Sequence, residues 1–330
     1  MMQPILEIDQ LSVSFEAGAK PAVRGLSFEL AAGEIVGLVG ESGSGKSLSA
    51  LCLMGLLPKA ARMDSGSILF KGRDVATLTP DARRNLCGAH LGMVFQEPLT
   101  ALNPVLTIGE QVAEIYRRRL NYSRRKAWDE AVKMLGRVGL PNPAEAADSY
   151  PHRFSGGMRQ RVVMALALAL SPEVLIADEP TTALDPTIAA QILVLLTRLA
   201  AENNSAVLFI THNLRLLSGL ARRVMVMYTG LVLEEALVPD IFNQPAHPYT
   251  QGLLRALPPA LAEDAPERLT AIGGMPPSPG HWPSGCPFEP RCPDAFSPCK
   301  ASLPPLYELT EGHRVRCFLY ADGVNTAAHC

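Results

Sequence analysis

The sequence lacks an excess of charge of either sign, since 30 Lys and Arg residues stand against 32 Asp and Glu residues and the net charge is −2. This balance gives no support for bulk binding to nucleic acid, and no nucleic-acid partner is expected. Long apolar runs are also missing, because the run at residues 162–170 stops at Ser171, well short of spanning length. The first residues include Glu7 and Asp9 and show no basic stretch followed by an apolar one, which predicts no secretory signal. We expect a soluble, cytosolic protein whose membrane role, if any, comes through partners.

The clearest chemical pattern is Gly40-Glu41-Ser42-Gly43-Ser44-Gly45-Lys46-Ser47, which matches the whole phosphate-binding motif G-x-x-x-x-G-K-[S/T]. We call this stretch the phosphate loop. Its glycines allow successive backbone N–H groups to turn inward around an anion. Lys46 adds positive charge for the β- and γ-phosphates, and the Ser47 hydroxyl is a ligand for Mg²⁺. A buried strand is predicted at Ile35–Val39 and a helix at Lys46–Met54, so the context also indicates nucleotide binding.

A second anion site is predicted where Ser155, Gly156 and Gly157 precede an apolar helix at residues 162–170. Small residues at a helix start present backbone N–H groups together with the positive end of the helix dipole. A segment with helical periodicity at residues 107–138 separates this site from the phosphate loop. Two phosphate sites with a helical insert between them are an unusual combination in one chain.

Two acids end the apolar strand predicted at residues 174–179. Asp178 is placed to hold the Mg²⁺ shell, and Glu179 is placed to act on water as a general base. An isolated acidic pair at a strand end is more often a helix cap, so the catalytic interpretation depends on the phosphate loop upstream. Beyond the acids, Asp185 and Pro186 open another predicted helix.

Three further residues gain meaning only from their order in the chain. Gln96 follows a strand predicted at residues 91–95 and is placed to touch Mg²⁺ or to position water. His212 follows a strand predicted at residues 206–210 and is placed to bond a γ-phosphate, although an isolated histidine there is more often structural. Phe15 precedes the phosphate loop, where adenine would stack on it, and a core position for this side chain is equally consistent with the sequence.

In this order the motifs resemble the ATP-binding subunits of ABC transporters, over roughly residues 5–255. The resemblance identifies Gln96 with the Q-loop, Asp185 with the D-loop and His212 with the switch histidine. The family signature usually reads Leu-Ser-Gly-Gly-Gln, whereas this chain has Phe154-Ser-Gly-Gly-Met158, and the upstream aromatic residue is usually tyrosine. Neither departure removes the anion site or the stacking face.

The resemblance implies an ATPase whose nucleotide is held between two subunits. ATP would lie between the phosphate loop of one subunit and the Ser155-Gly156-Gly157 site of the other. The implied ligands of Mg²⁺ are Ser47, Gln96 and Asp178. The implied catalytic residues are Glu179, His212 and Gln96. Phe15 and Asp185 complete the implied nucleotide-binding set.

A narrower resemblance, to the oligopeptide/dipeptide/nickel importer branch, is carried by Gln96–Pro104, by Pro245–Gln251 and by a cysteine-rich C-terminus. It implies a subunit that energises import of di- and oligopeptides from the cytoplasmic face of the inner membrane, bound there peripherally. The implied partners are a second, similar ATPase in a heterodimer, two transmembrane permease subunits and, indirectly, an extracytoplasmic substrate-binding protein. Nickel or a metal chelate is the alternative cargo. An ABC ATPase acting on nucleic acid or ribosomes is a distant alternative.

The length of 330 residues, 48% of them hydrophobic, predicts one large domain with an accessory piece, or two domains. The resemblance implies an α/β fold: a P-loop ABC ATPase core with a RecA-like, mostly parallel sheet, an N-terminal antiparallel β subdomain, a helical subdomain and a small cysteine-rich extension. We predict a nucleotide-binding domain at residues 1–257, with its helical subdomain at about 97–160, and a proline-rich connector with a C-terminal domain at residues 258–330.

Four cysteines crowd the C-terminal part of the chain: Cys286, Cys292, Cys299 and Cys317. In a short, weakly hydrophobic segment they predict a metal centre that supplies missing cohesion, and a reducing cytosol disfavours disulfides. Zinc sites usually have tighter cysteine pairs, and iron–sulfur clusters tolerate wider gaps. The resemblance implies a [4Fe–4S] cluster, with Zn²⁺ and unligated or disulfide-bonded cysteines as alternatives. Cys52, Cys87 and Cys330 are not expected to be ligands.

Overall fold

The computed structural model describes residues 4–15, 20–257, 271–278 and 280–321. Within these residues the chain forms two compact units, each assembled from separate stretches. The first unit draws on Met1–Glu7, Glu29–Glu34 and Leu69–Phe209. The second unit draws on Ile8–Phe28, Ile35–Ile68 and Ile210–Cys330.

Strands and helices alternate along most of the described chain. The strands are, in order, β1 (Leu6–Ser14), β2 (Val23–Leu30), β3 (Ile35–Val39), β4 (Arg62–Phe70), β5 (Arg73–Asp74), β6 (Leu91–Val94), β7 (Val174–Asp178), β8 (Ala206–Thr211), β9 (Arg223–Tyr228), β10 (Leu231–Leu237), β11 (Tyr307–Thr310) and β12 (His313–Val315). The α-helices are α1 (Lys46–Met54), α2 (Pro80–Ala89), α3 (Pro98–Ala101), α4 (Ile108–Leu120), α5 (Arg124–Arg137), α6 (Pro143–Ala147), α7 (Gly156–Leu168), α8 (Pro186–Glu202), α9 (Val238–Asn243), α10 (Pro248–Arg255) and α11 (Ser297–Ala301). Short 3₁₀ turns lie at Pro151–Arg153, Leu214–Gly219, Glu289–Arg291 and Phe318–Tyr320.

The second unit contains a sheet in the order β11-β12-β10-β9-β3. Strand β3 pairs in parallel with β9, opposing Leu38 to Met225, and both residues are fully buried. Strand β10 then pairs antiparallel with β9 on one side and with β12 on the other, opposing Glu234 to Val315. The C-terminal hairpin therefore extends the sheet that carries the phosphate loop.

The first unit contains parallel strands β6 and β7, with Gly92 opposite Leu175. Strand β7 is apolar up to its last residue, Asp178, and is buried along its whole length, as expected for a parallel strand covered on both faces. Helices α3 to α6 occupy the stretch between β6 and α7, where helical periodicity was predicted. The strands expected around the motifs and the helix at Lys46–Met54 are confirmed within one or two residues, whereas α7 begins six residues before the apolar helix predicted at residues 162–170.

Helix ends follow local capping chemistry. The Thr107 hydroxyl accepts a hydrogen bond from the Glu110 backbone N–H at 3.3 Å, which starts α4. Helix α1 ends where Gly55 adopts φ +68° and donates its N–H to the Cys52 carbonyl. These ends were predictable because they depend on neighbouring residues alone.

The predicted boundary at residue 258 and the first half of the proline-rich connector, predicted at residues 258–283, lie outside the described residues. Cys330 also lies outside them. The division into domains at 257 and 258 stays a prediction. In the described part of the chain, no helix is long and apolar enough to cross a membrane.

Candidate functional site

The path of the phosphate loop requires glycine at two positions. Strand β3 delivers the chain to Gly40, where an added Cβ would lie 2.0 Å from the Met227 carbonyl oxygen. At the other end, Gly45 adopts φ +104°, which side-chain-bearing residues rarely adopt, and its Cβ would lie 2.9 Å from the Ala22 carbonyl oxygen. Helix α1 begins directly afterwards at Lys46. Tight backbone packing thus fixes where the loop turns.

Lys46 is folded over the loop that it follows. Its residue is 5% exposed, and Nζ donates to the carbonyl oxygens of Gly40 at 2.8 Å and Glu41 at 2.9 Å. The Ser44 hydroxyl accepts a third hydrogen bond at 3.3 Å. The buried Lys46 ammonium already donates to oxygen atoms. Phosphate oxygens are also acceptors, and because they carry negative charge they form stronger hydrogen bonds with it.

Glu41 is held through both its main chain and its side chain. Its backbone N–H donates to the Tyr249 hydroxyl at 2.9 Å. Its two carboxylate oxygens each accept a hydrogen bond from the Arg291 guanidinium, at 2.7 and 3.0 Å. Sequence analysis missed both partners because they lie 208 and 250 positions away and belong to no nucleotide-binding motif.

The acids of the first unit occupy a strained turn, Asp178–Asp185, which we call the acid turn. Asp178 ends β7 and is 5% exposed, and Glu179 adopts φ +44°. A non-glycine residue in this left-handed region costs about 1–3 kcal/mol and such residues cluster at functional sites. One Glu179 carboxylate oxygen accepts hydrogen bonds from Thr182 Oγ1 at 2.8 Å and from Gln96 Nε2 at 3.2 Å. The structure therefore brings together the predicted residues Gln96 and Glu179. It also shows a contact with Thr182 that the sequence analysis missed, although its position three residues after Glu179 could have indicated it.

The Ser155-Gly156-Gly157 site forms the start of α7. The Ser155 hydroxyl caps the helix by accepting a hydrogen bond from the Met158 N–H at 3.4 Å. A Cβ on Gly157 would lie 2.5 Å from Ile188 Cγ2, so this glycine also has a packing role against α8. Asp185 caps α8 by accepting from the Ile188 N–H at 3.0 Å. Ser155 and Gly156 are exposed, which leaves the helix start accessible to an anion.

The remaining predicted nucleotide contacts, His212 and Phe15, belong to the second unit. His212 is exposed and directly follows β8, as the sequence predicted. Phe15 follows β1 and is 46% exposed, so the alternative of a core position is wrong and its face is accessible to a ring.

The four C-terminal cysteines line one cavity, together with His247 and Phe318 among others. The Cys286 N–H donates to the Cys299 carbonyl oxygen at 2.8 Å, and none of these four described cysteines forms a disulfide. Burial raises the pKa of the Cys292 and Cys317 thiols to about 12, so a nearby cation is needed to stabilise the thiolates. Thiolates are the ligands that soft metal ions prefer. Within the described residues, however, no group of three or more His, Cys, Asp or Glu side chains is arranged to hold a metal ion.

Comparison with protein families gives two matches. The family described as "ABC transporter" matches residues 23–182, and the family described as "Oligopeptide/dipeptide transporter, C-terminal region" matches residues 233–299. The oligopeptide transport ATP-binding protein AppD of Bacillus subtilis is 45% identical over 324 residues, which cover 97% of this chain and 98% of the relative. The dipeptide transport ATP-binding protein DppD of Escherichia coli is 45% identical over 320 residues, which cover 96% of this chain and 97% of the relative.

Solved structures with the same fold include the ATP-binding cassette MJ0796, described as a dimer in a post-hydrolysis state bound to ADP and Pi. Its TM-score is 0.63 at 26% identity, over 71% of this chain and 98% of that one. The protein cbiO1 of Clostridium perfringens, described as part of the ABC transporter complex cbiONQ, gives a TM-score of 0.64 at 25% identity, over 73% of this chain and 91% of that one. These likenesses confirm the predicted α/β cassette fold.

Proposed function

The chain belongs to the family of ABC transporter ATP-binding subunits, in its oligopeptide/dipeptide branch, and we propose that it hydrolyses ATP to energise import of di- and oligopeptides. The observation that carries this proposal is the match of residues 233–299 to the oligopeptide/dipeptide C-terminal region, in a chain that is alike over nearly its full length to peptide importer subunits. The phosphate loop supplies the independent chemical support, because its lysine is already enclosed by oxygen acceptors. No feature of the described residues favours nickel or a metal chelate as cargo.

In this proposal the phosphate loop holds the triphosphate and Lys46 spreads the charge that develops on the γ-phosphate. Phe15 offers a face for the adenine ring. Ser47, Gln96 and Asp178 are the residues that would hold Mg²⁺, which supplies charge neutralisation between the β- and γ-phosphates when bound. His212 contacts the γ-phosphate.

Glu179 acts as the general base on the attacking water. The water oxygen bonds to the γ-phosphorus, the bond from that phosphorus to the β–γ bridging oxygen breaks, and Glu179 accepts a water proton. Its hydrogen bonds with Thr182 and Gln96 fix the orientation of the carboxylate that accepts the proton.

A second, similar ATPase subunit completes the site in this proposal. Its phosphate loop faces the exposed Ser155-Gly156-Gly157 helix start of this chain, and the reciprocal pair binds the other nucleotide. ATP then closes the heterodimer and hydrolysis reopens it. Helices α3–α5 pass this motion to two transmembrane permease subunits, at the cytoplasmic face of the inner membrane, and an extracytoplasmic binding protein delivers the peptide.

We also propose that Cys286, Cys292, Cys299 and Cys317 hold a [4Fe–4S] cluster with a structural role, with Zn²⁺ as the alternative. The support is their shared cavity and the need of buried thiolates for a cation. Anaerobic purification of the full chain should give a brown protein whose visible absorbance bleaches on reduction. A colourless protein with stoichiometric zinc would overturn the cluster.

Transport is tested by purifying this chain with the subunits that accompany it and placing the complex in proteoliposomes with the binding protein outside. Uptake of labelled di- and tripeptides should require internal ATP and should stop in a complex carrying Glu179→Gln. Uptake of labelled Ni²⁺ with no uptake of peptide would overturn the proposed cargo. Absence of any ATP-driven uptake, with ATP hydrolysis intact, would overturn the import role.

A further inference from the structure

Arg291 is buried at the junction of the cysteine-rich segment and the phosphate loop. It ends the 3₁₀ turn Glu289–Arg291, directly before Cys292, and its side chain is 5% exposed. Besides its two hydrogen bonds to Glu41, it donates to the Tyr228 hydroxyl at 3.2 Å and to the Gly273 carbonyl oxygen at 2.9 Å. With the Ile272 carbonyl oxygen at 3.4 Å as a fifth acceptor, the guanidinium occupies a single orientation, unlike that of an exposed arginine.

The partners of Arg291 form a rigid base under the loop. Tyr228, Tyr249 and Phe288 pack against one another with ring centroids 4.7 to 5.5 Å apart. Phe288 comes from the same cysteine-rich segment as Arg291, and Tyr249 is the residue whose hydroxyl receives the Glu41 N–H. Main chain and side chain of Glu41 are thus both attached to one packed aromatic cluster.

The C-terminal segment that contains Arg291 contacts the phosphate loop and its surroundings at two more points. Pro276, Pro277 and Ser278 line a cavity of about 220 Å³ together with loop residues Glu41–Ser44. The Trp282 ring N–H donates to the Pro21 carbonyl oxygen at 3.0 Å. Pro21 precedes Ala22, whose carbonyl oxygen packs against Gly45. The segment at residues 271–291 therefore borders the loop over several residues.

From these contacts we propose that Arg291 is a positioning residue for ATP binding, acting through Glu41. Glu41 is the sole acid of the phosphate loop, and its negative charge beside a bound triphosphate would repel the ligand. The bidentate Arg291 contact neutralises this charge and holds the carboxylate in place. ATP affinity consequently depends on the folded cysteine-rich segment. This inference rests on ATP binding at the phosphate loop.

The test compares two substitutions that break the same ion pair with opposite electrostatic results. Arg291→Ala leaves an unpaired carboxylate and should weaken binding of a fluorescent ATP analogue to the full chain about tenfold. Glu41→Gln leaves an unpaired guanidinium and should weaken binding less than about threefold. Arg291→Lys keeps the charge without the bidentate geometry and should fall between wild type and Arg291→Ala.

Arg314→Ala is the matched control, since Arg314 of the C-terminal hairpin forms an arginine–carboxylate pair with Glu235 of β10 at 2.5 Å. It should lower thermal stability and leave ATP affinity unchanged. The double variant Glu41→Gln/Arg291→Ala should recover part of the affinity lost in Arg291→Ala.

Equal loss of affinity in Arg291→Ala and Glu41→Gln, or wild-type affinity in Arg291→Ala measured well below its melting temperature, would overturn the proposal. If Arg291→Ala does not fold, Arg291→Lys and Glu41→Gln decide the question by their ranking. Absence of ATP binding in the wild-type chain would instead contradict the phosphate loop assignment itself.

Discussion

The phosphate loop and the acid turn both serve ATP hydrolysis in the proposed mechanism, yet their conformations are maintained in different ways. The loop depends on distant parts of the chain, since Glu41 is held by Tyr249 and Arg291, 208 and 250 positions away. The acid turn is held within the first unit, through Thr182, three positions from Glu179, and through Gln96, 83 positions away. The phosphate loop has glycine where the backbone φ is positive, whereas the acid turn has the non-glycine residues Glu179 and Ala183 at φ +44° and +65°.

We infer from this contrast that changes affecting the phosphate loop alter ATP binding, whereas changes affecting the acid turn alter the chemical step. A loop supported by the aromatic cluster and the cysteine-rich segment is sensitive to changes far from the nucleotide, and those changes should appear in affinity. A turn supported by Thr182 and Gln96 is sensitive to changes at these two side chains, and those changes should appear in turnover. The predictions below test this division.

The largest effect is expected for Glu179→Gln. The amide cannot accept the water proton, so turnover should fall by roughly 10²–10⁴, while ATP affinity stays near wild type. Single-turnover hydrolysis and equilibrium ATP binding, measured on the complex, check the two halves of this statement. Unchanged hydrolysis would remove Glu179 from the base role.

Lys46→Ala, in the phosphate loop, should change ATP affinity. Removing an ammonium that bonds phosphate oxygens should weaken ATP binding by roughly 10- to 100-fold. Titration of the full chain with a fluorescent ATP analogue measures this loss. Normal ATP affinity in this variant would contradict the assignment of the loop.

Thr182→Val should give a smaller effect on turnover alone. The substitution removes the hydroxyl that bonds Glu179 at 2.8 Å with little change in side-chain volume. Losing one hydrogen bond to a charged group should lower kcat about tenfold and leave the KM for ATP unchanged. A change in KM without a change in kcat would show that the acid turn contributes to binding.

The smallest effect concerns His313, which lies 2.9 Å from Glu234, a carboxylate that also accepts the N–H groups of Ala246 and His247 just before Tyr249. The hydrogen bond with Glu234 raises the pKa of His313 above its usual 6.5, so the folded chain holds this proton more tightly than the unfolded chain. The resulting stabilisation is complete below pH 6.5 and is lost as the pH rises through the folded-state pKa.

Melting temperatures of the wild type and His313→Gln should therefore differ by roughly 1–3 °C at low pH and converge at high pH. A difference that grows with pH would show that the pair does not stabilise the charged histidine. A change in kcat rather than stability would connect this hairpin to the acid turn, against the proposed division.

The sequence predicted the features whose physics is local. The phosphate loop with its flanking strand and helix, the acids at the end of β7 and the capping serine of α7 were placed correctly, because short-range periodicity, glycine content and capping chemistry determine them. The four cysteines were expected to build a separate centre, and the structure places them in one cavity without arranging ligands for a metal among the described residues. A count of thiols carries no information on side-chain orientation.

Residue order alone thus determined that this chain has a phosphate loop, two acids at the end of β7 and a helix, α7, that begins at Ser155-Gly156-Gly157. Each of these features depends on contacts within a few positions. Only the tertiary structure decided what supports the loop: the hairpin β11–β12 pairs onto β10, and the same C-terminal segment brings Arg291 and Phe288 beneath Glu41. Such contacts join residues hundreds of positions apart, and their pairing is selected by the packing of the whole sheet and the aromatic cluster rather than by any local pattern.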